Sequence, residues 1–338
     1  GKTTNLKTNS YPKTFNGLNL KVSFGQGVPA RIPWIGLTKS PNTISKGIYP
    51  VFLFYKEFNK LILAYGISET EKSEFNWINT ENHKTIKEWH LKEFNKNPDR
   101  YGASFVKGVY DLNIALDKEL IKCDGCLRLK LWREEVAVTK RRAYQDETYW
   151  GKPVPGFGPV DAQIILVGLA PGAHGANRTG RIFTGDASGD WLFPELFSAG
   201  LASQPTSKGI DDGLHLINTR VLCAVRCVPP DNKAETSERD TCSVWFNREI
   251  EMLMPTAKVF VALGAFAWDA LWRTLRAQSD QLPAKKVAFA HGAEVIFGDR
   301  LLIASFHPSQ QNTATGKLKV GAMAEIFLRA GRFTRSGK

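Results

Sequence analysis

Four short apolar segments alternate with helical patterns in the C-terminal two thirds of the chain, and this alternation restricts the fold more than any other feature. The segments are DAQIILVG, which begins at Asp161, and residues 220–225, 257–264 and 301–306. Strands that are apolar along their whole length are buried on both faces, as in a parallel sheet covered by helices on each side. The pattern therefore predicts an α/β fold with three layers, α/β/α, around a mainly parallel central sheet.

The amino-acid composition changes near residue 115. Residues 1–110 contain 11 Asn and 3 Ala, whereas residues 111–338 contain 6 Asn and 27 Ala. The first part has four strand-like segments, LNLKVSF, RIPWIGL, YPVFLFY and KLILAYG, and one amphipathic helical pattern at residues 81–97. We therefore expect a small α+β domain at 1–112, a helical connector at 113–122 and the α/β domain at 123–338.

The net charge of +12 and the pI of about 9.4 indicate a polyanionic partner, with nucleic acid as the first candidate. A basic surface kept for solubility is the alternative. The chain has no long uncharged apolar run and no apolar stretch at its start, so we expect a soluble, cytoplasmic protein without a membrane partner. We also expect a monomer without a nucleotide cofactor, because neither a GK[ST] loop nor a GxGxxG turn is found.

Four of the five cysteines have the spacing of metal ligands. Cys123 and Cys126 form C-x2-C, and Cys227 and Cys242 form C-x14-C. Four thiolates suit a structural zinc ion or an iron-sulfur cluster. The sequence therefore predicts a metal site made by these four side chains.

Two unusual loops follow predicted strands. GLAPGAHGANRTGRIFTGD (residues 168–186) has five glycines and two arginines, which suit close backbone approach and phosphate contact, and HPSQQNT (residues 307–313) follows the last strand. In this order they resemble the two active-site motifs of the uracil-DNA glycosylase superfamily, in particular its family 5. The resemblance extends to CDGC, PGFGP and AVRCVPPDNK and covers residues 120–331.

The resemblance implies a [4Fe-4S] cluster on the four cysteines, with zinc as the alternative. It also implies that the imidazole of His307 donates to carbonyl O2 of a flipped base and that Phe183 stacks on that base. Many relatives have a carboxylate where this chain has Ala170, so Asn177 is the first candidate for orienting water, with His174 and Asp186 behind it. Asp186 has an alternative role as a helix N-cap. The expected pocket walls include Gly168 and Gly172, and the expected DNA contacts are Arg178, Arg181, Ser309, Gln310, Gln311 and Asn312.

Cys223 departs from the family pattern. Where relatives have an asparagine that reads the Watson-Crick edge of uracil, this chain has LCAVRC. A thiol is a weak donor and acceptor, so two-point reading of uracil is lost at this position. The alternatives are a spare cluster ligand and an ordinary core cysteine.

The N-terminal part carries a second resemblance. GQGVPARIPWIGLT (residues 25–38), followed by SKGIYPVFLFY, resembles the N-terminal domain of McrB-type modification-dependent restriction proteins over residues 15–112. This implies duplex DNA binding, flipping of a modified base and a YTH-like or EVE-like sheet with an aromatic cage. The expected cage residues are Trp34, Ser23, Gln26, Tyr49 and Trp77, and a core position for Trp34 is the alternative.

Together these features predict a DNA glycosylase that acts on double- or single-stranded DNA and excises a modified pyrimidine, as in defence against phage DNA. Repair of uracil or hypoxanthine is the alternative within enzymes. A catalytically silent sensor of modified bases is the alternative outside them.

Overall fold

The computed structural model describes residues 8, 11–26, 28–40, 42–55, 60–68 and 83–336. The chain forms two compact units, Lys2–Leu112 and Asn113–Lys338. In the part of the chain that is described, no helix has the length and apolarity needed to cross a membrane. Trp77, one of the predicted cage residues, lies outside the described residues.

The N-terminal unit is built on an antiparallel sheet. Its six strands pair in chain order: β1 (Thr14–Phe15), β2 (Leu18–Gln26), β3 (Val28–Thr38), β4 (Ile48–Tyr55), β5 (Lys60–Ile67) and β6 (Phe105–Asp111). Alternate residues of β4 are buried, and they pack with Ile86 of helix α1 (Ile86–Phe94). A capping box fixes the start of α1, since the hydroxyl of Thr85 accepts from Glu88 N and Glu88 accepts from Thr85 N.

The C-terminal unit has a mainly parallel sheet, as predicted. Its strands are β7 (Ile164–Gly168), β8 (Thr219–Cys223), β9 (Val259–Leu263), β10 (Glu294–Phe297) and β11 (Arg300–Ser305), in the order β10-β11-β9-β7-β8. The three pairings among β11, β9, β7 and β8 are parallel, and among the described strands of this sheet only β10 pairs antiparallel. The parallel strands correspond to the four apolar segments of the sequence.

Helices cover both faces of this sheet. Ile164 and Leu166 pack in a hydrophobic cluster with side chains of α5 (Ala187–Ser198) and α9 (Ala322–Ser336). Ile165 and Val167 point to the other face, into a cluster with α6 (Thr236–Leu253) and α7 (Ala265–Gln278). The remaining helices are α2 (Leu112–Leu120), α3 (Leu127–Thr139), α4 (Ala176–Thr179) and α8 (Gln310–Ala314).

The outer edge of β8 is covered by the PGFGP segment. Phe157 forms an isolated antiparallel bridge to Val221, with N–H to O=C distances of 2.8 and 2.7 Å in the two directions. The sheet therefore ends on this side in a single paired residue between a Pro-Gly pair and a Gly-Pro pair, and the prolines have no N–H with which to extend the ladder.

The parallel strands β7, β8, β9 and β11 end at Gly168, Cys223, Leu263 and Ser305, on the same edge of the sheet. The two predicted active-site loops leave from β7 and β11 at this edge. Because β7 lies directly beside β8, and β9 separates it from β11, the sheet order alone brings Cys223 and both loops together.

Candidate active site

Phe183 and His307 meet across the two loops. Phe183 belongs to the loop between β7 and α5, and His307 lies two residues after the end of β11. Their ring centroids are 5.8 Å apart and their planes are inclined by 39°. The structure thus brings together the predicted aromatic platform and the predicted hydrogen-bond donor.

Gly168 allows Phe183 to approach the sheet. A Cβ atom at Gly168 would lie 2.9 Å from Cζ of Phe183 and 3.5 Å from Sγ of Cys223. Phe183 itself has φ of 54°, a conformation that L-residues other than Asn and Asp rarely adopt. Strained backbone of this kind is concentrated at functional sites. Gly168, Phe183 and Cys223 come together at the carboxyl ends of β7 and β8, where the sequence predicts the base pocket.

His307 is held in place by its backbone. Its carbonyl accepts a hydrogen bond of 2.8 Å from Nδ2 of Asn312, and its Cβ would lie 3.4 Å from a Cβ at Gly264. Burial lowers the pKa of the His307 imidazole to about 4, because it disfavours the charged form. The imidazole is therefore neutral near pH 7, which matches a role as a hydrogen-bond donor and not as a cation.

Asp186 has two different oxygens. Oδ1 accepts from Ser188 N and Gly189 N, both at 3.0 Å, and so caps α5 as the sequence suggested. Oδ2 faces the glycine-rich loop, since a Cβ at Gly172 would lie 2.8 Å from it and a Cβ at Gly175 would lie closer still. Burial raises the pKa of this carboxyl, and the two N–H donors act in the opposite direction.

Asn177 does not face the open part of the site. It is fully buried, its Nδ2 donates to the carbonyl of Arg133 in α3 at 3.2 Å, and its Oδ1 has no partner among the described residues. His174 is partly buried, with Nδ1 at 3.1 Å from the hydroxyl of Tyr149. Burial lowers the pKa of its imidazole, and Arg141 and Arg178 add to the effect. Ala170 packs with Leu129 and Cys227, on the side of the cysteines.

The assignment of Arg178 and Arg181 to DNA contact is corrected by their placement. Arg178 is 8% exposed and pairs with Glu147, and Arg181 is 4% exposed and pairs with Asp212. Further bonds to backbone carbonyls and hydroxyls use other N–H groups of both side chains. Both guanidinium groups therefore stabilise the loop from inside, and neither is presented to a phosphate.

The loop after His307 divides into fixed and exposed residues. Ser309 caps α8 by accepting from Asn312 N at 3.4 Å, and Asn312 holds the carbonyl of His307. Gln310 and Gln311 are exposed at the start of α8. Of the four predicted DNA contacts in this loop, only these two residues are exposed.

Cys223 is 1% exposed at the end of β8. Burial raises the pKa of its thiol to about 12, so the side chain is a neutral thiol near pH 7. It packs in the core cluster together with Phe183. Cys223 is therefore a core residue that also contacts the predicted platform of the base pocket.

The other four cysteines line one pocket. Cys123, Cys126, Cys227 and Cys242 are all in its wall. In the described part of the chain Cys223 is not in that wall, so the spare-ligand reading gains no support. Within the same described residues, no three His, Cys, Asp or Glu side chains are grouped closely enough to bind a single metal ion.

The surroundings of this pocket suit thiolate sulfur. Three N–H groups point at three of the sulfurs: Arg133 at Cys227 (3.0 Å), Trp245 at Cys123 (3.1 Å) and the backbone of Arg226 at Cys242 (3.3 Å). Arg133 and Arg226 also line the pocket, and Nε of Arg133 and Nε and Nη1 of Arg226 have no partner among the described residues. Buried orphan donors beside four cysteines fit an anionic, sulfur-rich group, as an iron-sulfur cluster would be.

In the N-terminal unit, Trp34 and Tyr49 lie against the same glycine. A Cβ at Gly36 would be 3.5 Å from each ring, and Ser23 is the cross-strand partner of Trp34. Trp34 packs on the core cluster and is only partly buried, whereas Tyr49 is 5% exposed. Gln26 closes β2 opposite Val28.

Sequence reasoning did not find Tyr149, Arg141 or His291. Tyr149 contacts His174, and the N–H of Arg141 donates to the Tyr149 hydroxyl at 3.3 Å. His291 accepts from the N–H of Phe306, next to His307. None of the three lies in a recognisable motif, and all act across tertiary contacts.

Two family models match the chain. The model described as Uracil DNA glycosylase superfamily matches residues 155–330, and the model described as MrcB-like, N-terminal domain matches residues 3–119. Both resemblances seen in the sequence are thereby confirmed.

Individual relatives match each part. The Type-5 uracil-DNA glycosylase of Thermus thermophilus is 47% identical over 220 residues, which is 64% of this chain and 96% of the relative. That of Mycobacterium bovis is 46% identical over 209 residues, 62% of this chain and 76% of the relative. The Type IV methyl-directed restriction enzyme EcoKMcrB subunit of Escherichia coli is 39% identical over 99 residues, 29% of this chain and 22% of the relative.

The geometry of the two loops and the match over more than half of the chain lead to the same result. The chain belongs to the uracil DNA glycosylase superfamily, as a DNA glycosylase that hydrolyses the bond between base and deoxyribose, and it carries an MrcB-like N-terminal domain.

Proposed function

We propose that this glycosylase excises a modified pyrimidine from DNA whose modification is read by the N-terminal unit. The observation that carries the proposal is the pocket in which Phe183 and His307 face each other beside a buried, neutral thiol at Cys223. Such a wall offers stacking and shape but little hydrogen bonding to the edge of a base. A pyrimidine with an added group, selected elsewhere on the chain, is the substrate this arrangement suits.

The proposed reaction breaks the C1′–N1 bond, with the electron pair leaving on the base. Negative charge then develops on the carbonyl O2, and the N–H of the neutral His307 imidazole donates to it. Because the backbone of His307 is fixed before substrate binds, this donor needs no reorganisation as the charge appears. Phe183 keeps the base unstacked from DNA and planar against the pocket wall.

The proposal assigns the orientation of water to Asp186 instead of Asn177. Oδ2 of Asp186 faces the loop at Gly172 and Gly175, while both atoms of the Asn177 amide lie in the interior beside α3. A carboxylate at this point stabilises the positive deoxyribose and takes the proton of the water that adds to C1′. The raised pKa makes this carboxylate easier to protonate than an ordinary aspartate.

A [4Fe-4S] cluster is the group proposed for the four-cysteine pocket, with zinc as the alternative. Cys123 and Cys126 precede α3, Cys227 follows β8 and Cys242 lies in α6, so the cluster would tie three parts of the unit together. When bound, its role here is structural. The reacting groups are those of Phe183, Asp186 and His307.

DNA phosphates are proposed to contact the basic segment 140–142 in place of Arg178 and Arg181. Arg141 and Arg142 are exposed, and no ion pair of the described residues includes either of them. The segment is attached to the site, since the N–H of Arg141 donates to Tyr149, which contacts His174. Its charge also lowers the pKa of the His174 imidazole, which places Arg141 close to that ring.

The N-terminal unit is proposed to be the reader, with a YTH-like or EVE-like sheet. Trp34 and Tyr49 beside Gly36, with Ser23 across the strand pair, supply flat apolar surfaces and one hydroxyl for a flipped base. In the full chain, Trp34→Ala should remove the preference for modified duplex and leave salt-sensitive affinity for plain duplex nearly unchanged. Equal binding of both duplexes by the unaltered protein would end the reader proposal.

The decisive experiment incubates the full chain with duplexes that contain uracil, hypoxanthine, 5-methylcytosine, 5-hydroxymethylcytosine or glucosylated 5-hydroxymethylcytosine, followed by alkali. Strand breaks at a modified cytosine, absent with His307→Ala, are expected. If no duplex were broken, the protein would be a catalytically silent sensor of modified bases and not a glycosylase. If modified cytosines are released, survival of phages carrying them should fall in cells that express the protein, as a defence role requires.

Repair of uracil or hypoxanthine is the second candidate function. It is favoured by the similarity over nearly the full length of the Thermus thermophilus Type-5 uracil-DNA glycosylase. Breaks confined to the uracil and hypoxanthine duplexes would select this function and leave the chemistry of Phe183, Asp186 and His307 unchanged.

A further inference from the structure

His291 is bonded to the backbone beside the candidate site. Its Nδ1 accepts the N–H of Phe306 at 3.0 Å, so the ring proton is on Nε2. The backbone of Ala322, the first residue of α9, lies near enough to the ring to raise the pKa of the imidazole. The ring also stacks on Phe306, with centroids 5.0 Å apart and planes inclined by 27°. One side chain therefore connects the end of β11 to the start of α9 in a single tautomer.

The hydrogen bond from Phe306 to His291 lies directly after the last residue of β11 that pairs in the sheet. The ladder between β11 and β9 ends at the pair Ser305 and Leu263, and Gly264 N donates to Ser305 O at 2.8 Å. Phe306 is the next residue, and its N–H is the last backbone donor before His307. His291 supplies the acceptor that the sheet does not provide at this point.

Side chains hold the backbone close to His307 on both sides. His291 accepts the N–H of Phe306, the residue before it, and Nδ2 of Asn312 donates to the carbonyl of His307 itself at 2.8 Å. With the backbone held before and after the residue, the imidazole has only its two side-chain torsions to vary. A donor that must sit within tenths of an ångström of a developing charge benefits from such restraint.

The groups around His291 favour its neutral form. Burial lowers the pKa of the imidazole, and the bond to Ala322 and the charge of Glu325 in α9 act in the opposite direction. Phe289 and Lys317 contact the ring of Phe306 and not that of His291, at 6.1 Å between centroids and 4.6 Å from Nζ to the centroid. A neutral ring is required, because a protonated Nδ1 cannot accept.

We infer that His291 is a positioning residue for base excision: it orients the catalytic imidazole of His307 through the Phe306 N–H. This inference rests on the proposed role of His307 and goes beyond it, since His291 touches no reacting atom. The loop before β10 carries no active-site motif, yet through His291 it would influence the rate of base release.

Two amide substitutions separate the two nitrogens. His291→Asn places a carbonyl oxygen near the position of Nδ1 and can still accept from Phe306, whereas His291→Gln places its amide near Nε2 and keeps only the Ala322 side. Both remove the stacked ring, so any loss of stability is shared. Phe289→Leu is the matched control, because it weakens the packing on Phe306 without touching the hydrogen bond.

Single-turnover base release, KM and DNA affinity would be measured on the full chain with the best substrate. His291→Gln should lower the rate of base release about tenfold with KM and affinity unchanged, His291→Asn should stay within about threefold of the unaltered protein, and Phe289→Leu within about twofold. Equal rates for the Asn and Gln variants, whether both fast or both slow, would overturn the inference. So would a Gln variant that changes only KM.

A double substitution tests whether His291 acts through His307. In the His307→Ala background, His291→Gln should have no further effect on the slow residual rate, because the group it positions is gone. A further tenfold loss there would contradict the inference. If His307→Ala alone retained full activity, the proposed chemistry would fail instead, and the two failures are therefore distinguishable.

Discussion

Replacing Cys223 by asparagine puts a carboxamide into the wall of the base pocket. Sγ of Cys223 lies 3.5 Å from the Cβ position of Gly168, beside the ring of Phe183, and the side chain is 1% exposed. An amide there offers one donor and one acceptor to the edge of a base. Uracil has the matching pair, whereas the thiol of the unaltered chain can satisfy neither group well.

The expected gain follows from the value of a two-point contact. A good bidentate pair contributes about 1–3 kcal/mol of discrimination between bases. Since about 1.36 kcal/mol corresponds to a tenfold change in rate, Cys223→Asn should shift the ratio of kcat/KM for uracil over a modified cytosine by about 5-fold to about 150-fold toward uracil. The buried amide lacks a partner when no base is bound, which should lower stability by about 1–3 kcal/mol.

Base release from uracil and 5-hydroxymethylcytosine duplexes, measured on one preparation of each variant, gives this ratio. Cys223→Ser is the matched control, because it has nearly the size of cysteine and no amide, and its ratio should stay within about threefold of the unaltered protein. Efficient uracil excision by the unaltered chain, with no change of ratio in Cys223→Asn, would refute the altered pocket and favour repair.

Four further predictions concern other parts of the C-terminal unit. Asp186→Asn should slow base release at least about a hundredfold and abolish the acid limb of the pH–rate profile. In the unaltered protein this limb should begin above the ordinary pKa of aspartate, because burial raises the pKa of Asp186. An unchanged acid limb would show that Asp186 is not the titrating group. Glu249→Gln should lower the free energy of unfolding by about 3–5 kcal/mol, because it leaves the buried Arg220 and Arg226 without their shared carboxylate. The pKa of Glu249 is lowered in the folded protein. The difference in unfolding free energy between the unaltered protein and Glu249→Gln should therefore be largest above the ordinary pKa of glutamate and should decrease as the pH falls below it. A difference independent of pH would contradict the pairing. The double variant Arg141→Gln, Arg142→Gln should weaken DNA binding and reduce the slope of log K against log salt by about 2, whereas an unchanged slope would place the phosphates elsewhere. Anaerobically purified protein should contain about four irons per chain, and Cys227→Ala should lose them together with the brown colour; stoichiometric zinc from iron-replete cells would contradict the cluster.

The parallel core could be predicted because its signal is local. Strands β7, β8, β9 and β11 each contain a run of consecutive apolar residues, and the burial of those runs follows from the residues themselves. Strand β10 was missed, since its four residues alternate between exposed and buried and depend on β11 for pairing. Strand β6 was missed in the same way: FVKGVYD has a lysine, a glycine and an aspartate, and β5 provides its order.

The site was predictable at the level of loops and not at the level of side-chain direction. Motif resemblance placed Phe183, Cys223 and His307 in one region, and the structure brings them together. The two loop arginines were assigned to DNA because arginines in a glycine-rich loop suit phosphate contact. Their acidic partners are each 31 residues away along the chain, so nothing local reveals that Arg178 and Arg181 point inward.

The single bridge between Phe157 and Val221 has a consequence for association between molecules. Strand β8 is fully buried and contains the apolar run Val221–Cys223, and an uncovered edge of such a strand is a template for pairing with another chain. In the PGFGP segment, Phe157 pairs with Val221 at this edge, and the prolines on both sides of Phe157 prevent further pairing. A fragment that begins at Asp161 would retain all five strands and both catalytic loops, yet it should aggregate on concentration, whereas a fragment that begins before Pro155 should not.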